Sequence, residues 1–373
     1  MKLFIAGPVK MYQSTLDAGK KNYPYFRATD FSELMKSNAK RLSSLIGCRQ
    51  DKSELLFLTM SGTGAMEATV NNCILPTDKV LVVNGGTFGH RFCELLQRSS
   101  LDYQSIDLDW NETLTQSHLE PFENKGYTVF LVNLHETSSG KLYDIELISD
   151  FCKRNHILLI VDAISTFLAD PYDMDKYGIA ATIISSQKGL CCSAGMSVVA
   201  LNPEMVERIQ TSSRNCPYYY DFQFYIENMK RGQTPFTPAV TIAHEIDDVL
   251  NLIDKKGGLD SWLSDIKKKC LYFRQMALEI GLDIPSYSKS VMLTPVYFKD
   301  NKASEVVSYL RDKYSIYVTP CGGNLANSLL RVCHLGDTSF EDIDELVLCL
   351  KDVNYKIIKS SKKIDLKKKL LKT

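Results

Sequence analysis

No apolar run in this chain reaches the roughly 20 residues that a bilayer crossing requires. The opening residues, Met1 to Pro8, hold too short an apolar stretch for a secretory signal. Neither sign of charge dominates: 44 basic and 44 acidic side chains leave a net charge of zero. That argues against nucleic acid or an acidic membrane as the main partner. Eleven cysteines are present, Cys191 and Cys192 adjacent, yet they form no Cys-x-x-Cys pair and no Cys/His cluster at metal-ligand spacing. No metal is expected, and an odd number of scattered thiols reads as reduced, in a reducing compartment. What these absences leave is a soluble cytoplasmic globular protein. Its 373 residues, 45% apolar, suggest two or three domains. The local exception is a lysine-rich tail, Lys356, Lys359, Lys362, Lys363, Lys367, Lys368, Lys369 and Lys372, which reads as a solvated helix face or a fraying terminus.

From about residue 30 to 200, short apolar runs alternate with amphipathic stretches. Leu55–Leu58, Lys79–Val83, Tyr127–Leu134, Ile157–Val161, Thr182–Ser185 and Ser197–Leu201 read as buried strands. Helical patterns over Ala65–Cys73, His90–Arg98, Ile145–Asn155 and Pro203–Gln210 lie between them. Such alternation predicts an α/β fold with a mostly parallel sheet covered on both faces. Asn215–Pro238 breaks the rhythm, being dense in Tyr and Phe, with Pro217, Pro235 and Pro238 limiting helix. Beyond it come long helices over Val240–Ile253 and Gly258–Ile280, then strands and helices to a last helix at Phe340–Lys351. The expected division is an N-terminal segment 1–15, a large α/β domain 16–244, and a smaller α+β domain 245–373.

Five features fall at the carboxyl ends of these strands, where an open α/β sheet binds ligands. Ser61-Gly62-Thr63-Gly64 opens a helix, so its amides and hydroxyls can cradle a phosphate or simply cap the helix. Phe88, among glycines, can lie flat on a planar ring or tuck into the core. His135-Glu136-Thr137-Ser138-Ser139-Gly140 offers hydroxyls for a phenolic oxygen, or is a polar turn. Asp162 ends a very apolar run and needs a partner, for which a protonated pyridine nitrogen, an N-cap or a buried ion pair would serve. Lys188, in Ser186-Gln187-Lys188-Gly189, is a lysine at a buried strand end, either poised for Schiff-base chemistry or snorkelling outward. Together the five form the set that pyridoxal 5′-phosphate needs.

The chain resembles the class V aminotransferases of fold type I, the group with alanine–glyoxylate, serine–glyoxylate and 2-aminoethylphosphonate–pyruvate transaminases. The likeness runs from Phe4-Ile5-Ala6-Gly7-Pro8-Val9 to Leu330-Arg331-Val332-Cys333-His334-Leu335-Gly336-Asp337. It rests further on Phe26-Arg27-Ala28-Thr29-Asp30-Phe31, Ser61 to Glu67, Val161-Asp162-Ala163, Ser186 to Gly189 and Gly232 to Pro238. The resemblance implies a Schiff base and proton shuttle at Lys188, Asp162 paired with the pyridine nitrogen and Phe88 stacked on the ring. It implies that Ser61, Gly62, Thr63 and Gln187 hold the phosphate, with Thr137 near the phenolic oxygen. Thr237 would reach the cofactor of a neighbouring subunit in a homodimer, and Arg331 would anchor the substrate carboxylate. The implied substrates are a small amino donor and a small 2-oxo acid. A cysteine desulfurase or related lyase on the same fold is the nearest rival, and a decarboxylase shares the cofactor constellation, differing in the substrate pose. A cysteine desulfurase fits less well, since Phe88 and Gln187 stand where those enzymes carry His and no cysteine lies on an obvious glycine-rich active-site loop. A non-catalytic binding protein would be expected to have lost Lys188 or Asp162, and both are present.

Overall fold

Strands that are apolar on both faces can be buried only between two layers, and the large sheet is built that way. The computed structural model describes residues 1–212, 216–298, 302–353 and 356. Asn215, which opens the Tyr/Phe/Pro-rich stretch, and the tail lysines beyond Lys356 lie outside the described residues. Seven strands line up in the order Glu54–Leu58, Ser197–Leu201, Ile179–Ser185, Leu158–Asp162, Val129–Asn133, Val80–Asn84, Tyr103–Asp107. Ser197–Leu201 runs antiparallel to both its neighbours, and the other pairings are parallel. Alternate residues feed opposite layers. Leu55, Phe57, Leu81, Val83, Phe130 and Val132 join one core, while Leu56, Leu58, Val80, Val82, Val129 and Leu131 join the other.

Helices Gly62–Cys73, Thr87–Arg98, Pro203–Thr211 and Phe222–Met229 supply the second layer. Thr29–Ile46, Ile145–Arg154 and Val240–Lys255 supply the first. Local chemistry starts several of them. Asp144 accepts hydrogen bonds from the amides of Glu146 and Leu147, and Asn202 accepts from Met205 ahead of Pro203. Asp221 likewise caps Phe222–Met229, so a helix forms inside the stretch where prolines limit helix, in the gap between Pro217 and Pro235.

Two elements lack a clear sequence signal. Tyr103–Asp107 is a half-exposed edge strand without an apolar run, and Lys2–Phe4 is only three residues long. Lys2–Phe4 pairs parallel with Ile316–Pro320 in a second sheet, completed by antiparallel Leu329–Cys333 and Leu293–Tyr297. The chain therefore begins in the smaller sheet and crosses to the large one through Ala6–Val9. No helix among the described residues is long and apolar enough to cross a membrane.

Candidate active site

Parallel strands all end on one edge of the sheet, so the loops after Leu58, Asn84, Asn133, Asp162 and Ser185 gather there. A cavity of about 160 Å³ opens among them, lined by Ser61, Gly62, Thr63, Phe88, Asp162, Gln187 and Lys188 from the sequence expectations. Met66, Arg91, Asn133, Ile164 and Ser165 complete it, and the sequence expectations assign none of these five a role. Asn133 ends its strand directly opposite Asp162 in the parallel register, a pairing that the fold makes and the sequence does not signal. Arg91 lies one turn after Phe88. Its guanidinium donates to the Thr63 hydroxyl at 3.1 Å and covers the Phe88 ring at 5.1 Å from the centroid.

Asp162 is buried, its two carboxylate oxygens accepting from the Asn133 amide nitrogen at 2.7 Å and the Ile164 backbone amide at 2.9 Å. Burial pushes its pKa up to about 6, against those two hydrogen bonds. Lys188 is half-buried, and desolvation lowers its pKa from the ordinary lysine value; the nearby Arg331 guanidinium adds to this. Its ammonium donates to the Ala6 carbonyl. Gly7, at φ +130°, lies so close that a Cβ there would sit 2.8 Å from the lysine Cδ. The crossing segment thus folds directly over Lys188, fixed by Val9 to the Gln187 carbonyl at 3.2 Å and by Ala6 to the Thr319 hydroxyl at 2.7 Å.

Ser61 is the N-cap of Gly62–Cys73, and a Cβ on Gly62 would meet Ile164 Cδ1 at 2.5 Å across the cavity. The residue set suits a flat ligand with an anionic group and a ring cation. A helix N-terminus faces the anion. A desolvated carboxylate awaits the cation, and a desolvated amine stands beside both. Pyridoxal 5′-phosphate has that distribution of charge, and the residues fit it.

Thr137, Thr237 and Arg331 are not among the cavity-lining residues. Thr137 is buried, and its backbone carbonyl accepts from one end of the Arg331 guanidinium. The other end of that guanidinium donates to the Pro320 carbonyl. Thr237 is exposed, beside Phe236, which stacks on Tyr219 at 5.0 Å. A thiol lies in a glycine-rich stretch beside Arg331, outside the cavity lining: Cys321, before Gly322 and Gly323, donates to the Ser138 carbonyl at 3.3 Å. Burial raises its pKa, which the adjacent Arg331 only partly offsets, and a thiol so held is a poor nucleophile. Among the described residues no group of His, Cys, Asp or Glu is arranged to hold a metal.

Comparison with known proteins follows the geometry. The family model "Aminotransferase class-V" matches residues 7–345. The soluble hydrogenase 42 kDa subunit of Anabaena cylindrica is 29% identical over 95% of this chain and 93% of its own length. Serine–glyoxylate aminotransferase of Arabidopsis thaliana is 24% identical over 96% of this chain and 92% of its own. The solved alanine–glyoxylate aminotransferase of Nostoc sp. superimposes with a TM-score of 0.88, covering 94% of each chain at 24% identity. A family match over nine-tenths of the chain, on a fold type I scaffold whose sheet edge suits the cofactor, leaves one reading: the chain belongs to the pyridoxal-phosphate-dependent class V aminotransferases.

Proposed function

We propose that the protein transfers the amino group of a small donor (alanine, serine or 2-aminoethylphosphonate) to a small 2-oxo acid, glyoxylate or pyruvate, in two half-reactions on one site. The observation that carries this reading is the meeting of Lys188 and Asp162, both desolvated, at a single cavity that opens on a helix N-terminus. When bound, the cofactor supplies an electron-withdrawing ring that weakens the bonds at the substrate α carbon. Lys188 would attach the cofactor and carry the proton to and from that carbon. Asp162 would keep the ring nitrogen protonated. Ser61, Gly62, Thr63 and Gln187 would hold the phosphate, Phe88 would cover the ring, and Thr137 would serve the phenolic oxygen. Arg331 grips the substrate carboxylate through two parallel hydrogen bonds. The serine–glyoxylate relative supports the choice of acceptor class.

The working unit in this reading is a homodimer. Thr237 is exposed in its own chain, next to the exposed aromatics Tyr218, Tyr219 and Phe224, which supply apolar interface area and bring it to a partner's cofactor. Eleven cysteines scattered through the chain support a cytoplasmic location. Borohydride reduction and peptide mapping should find the pyridoxyl label on Lys188; a label on another lysine would end the assignment. A screen of donors against acceptors should then show amino transfer. Release of carbon dioxide without transfer would favour a decarboxylase instead.

A further inference from the structure

Helix Thr87–Arg98 carries Phe88 in its first turn, where the leading amides have no acceptor inside the helix. Gly86, at the capping position, has no side chain to offer one. The acceptors come from elsewhere. One carboxylate oxygen of Glu136 accepts from the Phe88 and Gly89 amides, both at 3.0 Å. The other accepts from the Ser138 amide at 3.1 Å and from the Ser138 hydroxyl, whose oxygen in turn accepts from the Thr87 amide at 3.1 Å. Glu136 is fully buried, and the ammonium of buried Lys141 lies within its electrostatic reach. A Cβ on Gly86 would sit 2.5 Å from the Glu136 carboxyl carbon, so glycine there leaves the space that the carboxylate fills.

A local Ser or Asp at position 86 would satisfy the helix alone. A cap from Glu136 does something further: it ties the helix start to the loop that follows the strand Val129–Asn133. The next residue of that loop, Thr137, holds Arg331 through its carbonyl. Two consecutive residues therefore set the aromatic of the cavity wall and the arginine beyond it. We propose that Glu136 is a positioning residue for the reaction, fixing the height and tilt of Phe88 against the cofactor ring in register with Arg331. The inference rests on the reading of Phe88 as the residue that covers the ring.

Glu136→Gln retains the shape but turns an amide nitrogen toward the Ser138 amide, so the cap is weakened rather than removed. In the cofactor-loaded protein this variant should still label at Lys188 and keep its far-ultraviolet dichroism. Its visible dichroism from the bound cofactor should fall by about half, and cofactor affinity should drop on the order of tenfold. In a Phe88→Leu background the same substitution should add little, because both changes act through one contact. Should Glu136→Gln not fold, Ser138→Ala, which removes the Thr87 acceptor and one donor to Glu136, should move the visible dichroism in the same direction with the same dependence on Phe88. Unchanged dichroism and affinity in the variant that folds, or effects fully additive with Phe88→Leu, overturn the proposal while leaving Lys188 labelling intact. A parent protein without label at Lys188 overturns the site reading, and this inference with it.

Discussion

Asp162 is held by two donors, neither of them charged, and its carboxylate is desolvated. Its folded pKa of about 6 lies above the 3.8 of an ordinary aspartate, so the native state keeps the proton to higher pH than the unfolded chain does. Its contribution to stability is best below about pH 4 and falls as pH rises through the window from 4 to 6. Asp170, also raised to about 6 by burial, acts in the same sense. Buried His135 and His334, lowered to about 3, act in the opposite one, so the total slope hides each group. Asp162→Asn isolates the first. Asn133 has a carbonyl oxygen without a partner and can turn it toward the new amide. Free of cofactor, the variant should be more stable than the parent at pH 8 by on the order of 1–3 kcal/mol, an advantage that shrinks toward pH 5. Urea midpoints at the two pH values test this, and a variant less stable at pH 8 would contradict it. With cofactor the same change should cost turnover at least a hundredfold, about 3 kcal/mol of barrier or more. Arg331 answers to a different assay. Arg331→Lys loses the planar fork and should raise KM for amino donor and 2-oxo acid alike, leaving the cofactor spectrum in place. Equal KM values in parent and variant would remove it as the anchor.

Several elements begin earlier than local patterns indicate. The apolar periodicity predicts a helix from His90, and the helix starts at Thr87. The extra turn exists because Glu136 and Ser138 satisfy its amides, and it is the turn that carries Phe88. The crossing segment Ala6–Val9 is a second case. It has no regular structure, yet it is tied to the small sheet at Thr319 and to the cofactor loop at Gln187. Gly7 is needed there twice over, for its φ of +130° and for the absence of a Cβ against Lys188. Gly7→Ala should therefore displace either the segment or the lysine. Expected are a loss of stability of about 1–3 kcal/mol and a slower reaction of Lys188 with added cofactor, followed by stopped-flow absorbance. A variant with parental stability and parental rate of cofactor attachment would show that the segment moves aside freely.

At the scale of the whole molecule, an exposed aromatic surface surrounds Thr237. Tyr218 is 71% exposed, and Tyr219 and Phe224 are also exposed, although Phe236 packs against Tyr218 and Tyr219. A second copy of the chain seated there would bury this surface and bring Thr237 to the neighbouring site. Sedimentation should give a dimer, and Tyr218→Glu combined with Phe224→Glu should shift it toward monomer with loss of activity. An active monomer at assay concentration would contradict shared sites.

The sequence alone determined the kind of scaffold. Runs such as Leu158-Leu159-Ile160-Val161, apolar at every position, require burial on both faces, and helices between them require parallel crossovers. It also put Ser61, Phe88, Asp162 and Lys188 at strand ends, since the end of an apolar run is a local feature. The tertiary structure decided the pairings on which the site depends. Asn133 meets Asp162 through strand register, Gly7 is brought onto Lys188 from the far N-terminal segment, and Glu136 caps a helix whose Phe88 amide lies 48 residues before it. Such contacts leave no periodic trace, because a carboxylate, a glycine or a carbonyl looks the same in sequence whether its partner is water or a residue brought close by the fold.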